Sequence, residues 1–449
     1  MSKRVRHDRP VPRLRPALDR CTGLEWSAAR RWATAFAVIS LVAALAGCRR
    51  SNGGLNDASG RVRLVFKYQP LGPDPTAMRR LIADFERAHP EVEVVSEVLP
   101  NDSDTAHQYF LTALEAGADL DVFVVDIIWV QEFARAGWIA DLSPAFPGEA
   151  IRRDFIPGAA EAVLSNGRVF AVPWYADVGV LFYRSDLVPR APKTFAELEQ
   201  FADQARRKDP SLHGYLWQGR QYEGLVCNVF EAIWGHGGDT GGGDPLRIDT
   251  KPARAALGHL RSLLEKGLSP ASVKSASEED SRRLFQSGRG VFMRNWPYAW
   301  EEAQRPDSII RGRVGIAPLP ALDGIGHGTL GGWQLAINAR VPPRHRDAAI
   351  QLIEHLTSTE SNRVLAREYG RHPPRRAFYR DAQSAERGLS PALYPLLEAA
   401  RPRPATPYYN LLSDALQSEF SAAIVGIRSP EQALARAQQQ IDRISGELR

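Results

Sequence analysis

The sequence predicts an α/β protein of two lobes, each a mostly parallel sheet flanked by helices, joined by crossings of the chain. Three observations carry this. At 449 residues the chain is too long for one ordinary core. Its first segments run strand, helix, strand, the order of a βαβ unit. Val169 to Leu187 (VFAVPWYADVGVLFYRSDL) then sets two apolar, strand-like runs about an aromatic joint that carries one acid, Asp177. The stretch reads either as a crossing between lobes with its carboxylate at the cleft or as a hairpin with a surface aspartate.

In chain order, Arg61 to Tyr68 alternates as a strand, and Thr76 to Ala88 carries Met78, Leu81, Ile82 and Phe85 at helical spacing before His89-Pro90 stops it. Val92 to Leu99 is the next strand, Thr105 to Ala116 a helix ended by Gly117, and Asp121 to Ile128 a nearly continuous apolar strand. Asp126 stands at the carboxyl end of that strand, where open α/β sheets hold their ligands, with Trp129 close behind. A buried aspartate capping the following helix is the competing reading. Thr194 and Glu197 have capping-box spacing at the head of a helix running to Lys208, and Gly214 to Trp217 is a short strand.

Cys227 to Trp234 is helical and runs into His236 to Asp244, a glycine loop without the lysine or the strand-to-helix setting of a phosphate site. Pro252 to Lys266 and Glu278 to Ser287 are helices, and Arg313 to Pro320 is a strand and a second candidate crossing. Gly331-Gly332-Trp333 opens a strand whose glycines permit close backbone approach. Helix His345 to Leu356 follows, then a third crossing at Tyr369 to Arg376. Helices Leu389 to Ala400, Tyr409 to Val425 and Pro430 to Ile444 close the chain.

Composition is that of a globular protein, 44% hydrophobic and 24% charged, and excludes a disordered or polytopic chain. The formal charge of +5 is no sign of a nucleic-acid partner: residues 1–47 hold nine Lys and Arg against three acids, and the remainder is close to neutral at −1. Within that segment, Arg30-Arg31 precede an apolar run, Trp32 to Ala46, of signal-peptide length. It ends Leu45-Ala46-Gly47-Cys48, small residues before a cysteine, as in a bacterial lipoprotein signal. The expectation is a leader over 1–47, acylation at Cys48, a flexible Gly and Ser-rich tether over 48–60, and an exported chain held at the membrane by lipid. A plain secretory signal or an anchor helix is the alternative. Past Cys48 the one remaining cysteine, Cys227, can form neither an internal bridge nor a cysteine-cluster metal site.

Trp and Tyr gather where elements break: Trp129, Trp174, Tyr175, Trp217, Tyr222, Trp296, Tyr298, Trp300, Trp333, Tyr408 and Tyr409. Placed beside Pro, Gly, Asp or Arg, they read as platforms for sugar, whose C–H face lies on an aromatic ring while carboxylates and Arg bond its hydroxyls. Asp126 and Asp177 also admit a glycosidase carboxylate pair. The chain has no nucleophile elbow, HExxH or cofactor fingerprint, and its histidines lack ligand spacing, so no cofactor or metal is expected. Tyr408-Tyr409 reads as a wall or cap ahead of a helix.

Six segments resemble, in this order, the extracellular solute-binding proteins of ABC sugar importers, above all the trehalose/maltose-binding branch: Asp121-VFVVDIIW-Val130, Val172-PWYADVGVLFYRSDL-Val188, Leu216-WQGRQYEGLVCN-Val229, Glu278-EDSRRLFQSGRGVFMRNWPYAW-Glu301, Gly331-GWQLAI-Asn338 and Arg401-PRPATPYY-Asn410. The resemblance implies a type II periplasmic-binding-protein-like fold, with one lobe from 61–172 and 317–369, the other from 177–312 and 376–449, and hinges at 173–176, 313–316 and 370–375. It implies no enzyme but a monomer that closes on a disaccharide and delivers it to a membrane permease. Ligand contact is carried onto Asp126, Asp177, Trp296, Tyr298, Gly332, Trp333 and Arg403, then Tyr222 and Glu223. Asp74 stands in for the acidic residue the family offers near its first strand. A secreted glycosidase and a transporter-independent sugar sensor are the alternatives.

Overall fold

The computed structural model describes residues 60–99, 102–240, 246–380 and 393–447. The leader, Cys48 and the tether before Gly60 lie outside the described residues, as do the glycine loop past Thr240 and the start of the helix expected from Leu389.

Strand β1 (Val62–Tyr68) leads to helix α1 (Thr76–Ala88), whose Met78, Leu81, Ile82 and Phe85 are buried on one face. Strand β2 (Val92–Val98) returns parallel to β1, with Val62 opposite Val92. Helix α2 (Ser103–Ala116) begins ahead of Thr105 because the Asp102 carboxylate accepts the Thr105 N–H at 3.0 Å, and it ends at Gly117, φ 65°. Strand β3 (Val122–Asp126) pairs parallel with β1. A short hairpin, β4 (Leu164–Ser165) and β5 (Arg168–Val169), precedes β6 (Val172–Val178) and β7 (Val180–Arg184). Beyond them come β8 (His213–Leu216), helix α3 (Glu223–Gly235), helix α4 (Lys251–Glu265) and helix α5 (Glu278–Leu284). Strands β9 (Gly290–Asn295), β10 (Val314–Ala317) and β11 (Leu330–Ile337) follow, and helices α6 (Tyr409–Ile424) and α7 (Pro430–Glu447) end the fold.

The strands form two principal sheets, ordered β2-β1-β3-β11-β6 and β10-β7-β9-β8. Each has its own apolar core, one around Phe66, Phe110, Phe123 and Leu335, the other around Trp217, Phe230, Leu257 and Phe420. A third cluster, with Ala176, Val178, Val180, Phe182 and Leu216, runs along the strands that join them. The two-lobed α/β architecture is as expected.

The sheets are mixed, not mostly parallel. β11 is antiparallel to both β3 and β6, and in the second sheet only β8 and β9 run parallel. The reason lies in the crossings. β6 leaves the first sheet and β11 returns to it, so the two lie antiparallel without the crossover helix that parallel neighbours require.

The crossing itself is also displaced from the sequence reading. β6 runs on through Pro173, Trp174 and Tyr175 as an edge strand, which tolerates a proline, but its register against β11 shifts there: Trp333 pairs with Tyr175 and Gln334 with Pro173, leaving Trp174 without a partner on β11. The change of sheet falls at Gly179, past 173–176. β10 lies wholly in the second sheet, so the next change falls between Ala317 and Leu330, past 313–316. In the third segment the His372 carbonyl accepts the Ala176 N–H at 2.8 Å. No helix among the described residues is long and apolar enough to cross a membrane.

Candidate functional site between the sheets

Trp296 stands just past the end of β9, half-buried, with the Arg294 guanidinium 4.1 Å from its ring centroid. Its far edge lies over Gly331 of the opposite sheet, where a Cβ would come within 3.1 Å of the ring. Gly331 is paired with Asp177. Gly332 has φ 127°, and a Cβ there would come within 2.4 Å of the Tyr175 carbonyl oxygen, so this glycine is required by packing and by backbone.

Two adjacent glutamates in the first turn of α5 hold the aromatic side chains. Glu278 accepts the Tyr222 hydroxyl at 2.7 Å and the Trp296 indole N–H at 3.3 Å, while Glu279 accepts the Tyr298 hydroxyl at 2.8 Å. The Ser277 and Asp280 capping box fixes that turn. Arg371 lies 5.1 Å from the Tyr175 ring and 5.2 Å from the Tyr298 ring, and its Nη1 is 4.0 Å from the Asp177 carboxylate. Asp177 Oδ1 is buried with no hydrogen-bond partner among the described residues. Burial pushes this carboxyl above the ordinary carboxylate range.

A second constellation centres on Arg403. Its Nη1 donates to Glu223 at 2.8 Å, its Nη2 donates to the Leu330 carbonyl at 3.3 Å, and that nitrogen lies 3.6 Å from Asp126. Asp126 also accepts the Ser103 hydroxyl at 3.0 Å, and burial raises its pKa. Glu223 accepts the Tyr409 hydroxyl at 2.8 Å and the Ser413 hydroxyl. Asp104, at the start of α2, faces this group. Burial first, then the charges of Glu223 and Asp102, push its pKa up to about 7, although the Glu223 backbone N–H donates to it. Arg220 bonds Asp102, and Asn410 bonds Glu132 and His107, so polar contacts tie the two halves together on this side of the cleft.

The sequence-derived residues therefore fall into two linked groups. Asp177, Trp296, Tyr298 and Tyr222 surround the α5 turn with Gly332 beside them, while Asp126, Arg403 and Glu223 form the other group. Trp333 is half-buried with its ring edge-on to Trp129, centroids 5.2 Å apart. Asp74 does not join them. It is exposed, and its carboxylate accepts the Thr76 N–H at 2.9 Å in a local turn.

The aromatic platforms are fewer than the sequence suggested. Trp129, Trp174 and Trp217 are fully buried core side chains, with Phe66, Tyr68, Phe110 and Ser269 among their neighbours in space. Tyr409 is buried, with its hydroxyl on Glu223. Glu278, Glu279 and Arg371 escaped the sequence reading. The first two sit in an ordinary acidic first turn, and nothing near Arg371 in sequence points to the two rings it lies between.

These features define a class, the two-lobed α/β binding protein. The chain belongs to the bacterial extracellular solute-binding protein family, whose model matches residues 69–363. It is similar to a probable ABC transporter-binding protein of Deinococcus radiodurans, 33% identical over 367 residues, or 78% of this chain and 86% of that one. A mannitol-binding protein of Pseudomonas aeruginosa is 24% identical over 416 residues, covering 82% of this chain and 90% of its own. Among solved structures, maltose-bound T. maritima MalE3 superposes with a TM-score of 0.80 at 35% identity, covering 85% of this chain and 99% of that chain.

Proposed function

We propose that this chain is the sugar-capturing component of an ABC importer, taking a disaccharide of the trehalose or maltose kind between its lobes and delivering it unaltered to a membrane permease. The observation that carries the reading is the Trp296 ring, held by Glu278 and Arg294 and lying opposite the bare Gly331 backbone and the unpartnered Asp177 oxygen. An aromatic face beside a carboxylate suits a pyranose, which offers C–H groups on one side and hydroxyls at its rim. The relatives that bind maltose and mannitol support the ligand class.

The lobe built on the first sheet, 61–178 and 330–369, offers Asp126, Asp177, Gly332 and Trp333. The lobe built on the second sheet, 180–317 and 376–449, offers Tyr222, Glu223, Trp296, Tyr298 and Arg403. Closure brings both sets onto the sugar, and the better affinity of the closed form drives the shift. The chain acts as an exported monomer, acylated at Cys48 so that it stays near its permease. It makes and breaks no bond in the sugar.

Import is tested in cells lacking the gene and restored with either the wild-type or the Trp296→Ala chain. Uptake of labelled trehalose or maltose is expected to return with the first and not the second. Uptake that never depended on the gene would contradict the role in transport.

A further inference from the structure

Glu231 and Arg294 form a fully buried ion pair on helix α3 and strand β9, with Arg294 Nε donating to Glu231 Oε2 at 2.8 Å. Neither residue is among those assigned to the sugar. Replacing such a pair by apolar residues of similar volume is often neutral or stabilising, so its presence calls for a reason beyond stability.

Its surroundings supply one. Glu231 Oε1 accepts the Thr329 backbone N–H at 3.0 Å, on the passage that returns the chain to the first sheet. It also faces Gly179, the residue at which the chain leaves that sheet. A Cβ on Gly179 would come within 1.9 Å of Glu231 Oε1 and 2.7 Å of an Arg294 nitrogen. The two passages touch there: the Gly179 N–H donates to the Thr329 carbonyl at 3.1 Å, and a Cβ on Gly328 would fall 2.0 Å from the Gly179 carbonyl oxygen. The segment leading to Arg403 also joins them, since the Arg401 N–H donates to the Gly328 carbonyl at 2.9 Å. On its other side the pair reaches the site, because the Arg294 guanidinium lies beneath the Trp296 ring.

We propose that Glu231 and Arg294 are positioning residues that pin the two passages between the lobes and hold the Trp296 ring, so that the angle between the lobes and the seating of the ligand are set by the same pair. The coupling to ligand rests on the sugar-binding reading of Trp296; the pinning of the passages does not. Glu231 does the pinning by its bond to Thr329 and by its contact with Gly179. Arg294 compensates the buried charge and carries the ring.

The test uses the purified full chain with Gly179→Ala and the double substitution Glu231→Gln with Arg294→Met. The double variant keeps an acceptor near Thr329 but leaves no uncompensated charge that would itself unfold the protein. Small-angle scattering without ligand reads the lobe arrangement, thermal unfolding reads the fold, and titration with trehalose and maltose reads the site. For variants that still unfold cooperatively, the expected results are a scattering profile shifted from wild type in both and about tenfold weaker sugar binding in the double variant. Scattering identical to wild type in both folded variants overturns the pinning. If Gly179→Ala alone shifts the profile and the double variant binds sugar as tightly as wild type, the pair is a core element without coupling to the site. Failure of wild type to bind either sugar sinks those two ligands and the coupling with them, while the scattering arm still decides the pinning.

Discussion

A tryptophan laid across a bare glycine, with its indole N–H on a glutamate and a guanidinium beneath it, is held from three sides before any ligand arrives. Such preorganisation makes single residues count. Trp296→Ala and Asp177→Ala are each expected to cost about 2 kcal/mol or more of sugar affinity, measured by calorimetry, with little change in melting temperature for the half-buried Trp296. Gly332→Ala should act on the fold instead. A side chain at φ 127° with the Tyr175 carbonyl within 2.4 Å adds backbone strain of about 1–3 kcal/mol to the steric clash, visible as a lowered unfolding midpoint.

Asp104 gives a pH signature. Its folded pKa of about 7 lies above the ordinary value of 3.8, so between the two the folded chain keeps a proton that the unfolded chain has released. Its contribution therefore falls as pH rises through this window. Stability should accordingly decline as pH rises from about 4 to about 7, and Asp104→Asn should flatten that slope in denaturant titrations across the range. At this scale the sequence showed which polar residues lie at strand ends, such as Asp126, and which aromatics sit beside glycine or proline. It could not separate Trp296, at the cleft, from Trp174, in the core, because each adjoins a proline, Pro173 before Trp174 and Pro297 after Trp296. Only the fold, which brings Phe66 and Tyr68 of β1 to the Trp174 ring, decides between them.

At the scale of elements, periodicity was a sound guide where one face is buried. Helix α1 and its four apolar contacts were legible residue by residue, as were the cap of the helix after Thr194 and the nearly continuous apolar run of β3. Strand direction was not, since a strand's residues do not say which neighbour it will meet. Val172–Val178 misled for a related reason: Pro173 reads as a break, yet an edge strand tolerates it. Helix α5 shows an element serving the site at one remove, because its first turn carries both Glu278 and Glu279. Ser277→Ala removes half of the capping box and is expected to cost about 1 kcal/mol of stability in denaturant titration. It should also weaken sugar binding through the loosened glutamates.

At the scale of the whole molecule, two cores are joined by a third cluster along the crossing strands, and the carboxylates and aromatics that would meet a sugar lie around that junction. Length and the βαβ opening made the two-lobed α/β plan legible, while the places where the chain changes sheet became visible only once the strands were paired. The claim that binds these scales is that the junction holds a disaccharide and leaves it intact. Calorimetric titration of the protein with trehalose, maltose and sucrose, in wild-type and Asp177→Ala forms, with the sugar recovered and analysed afterwards, tests it most directly. The account predicts saturable binding of at least one of these disaccharides, its loss in Asp177→Ala, and unaltered sugar at the end. Cleaved sugar, or binding that survives Asp177→Ala undiminished, would contradict it.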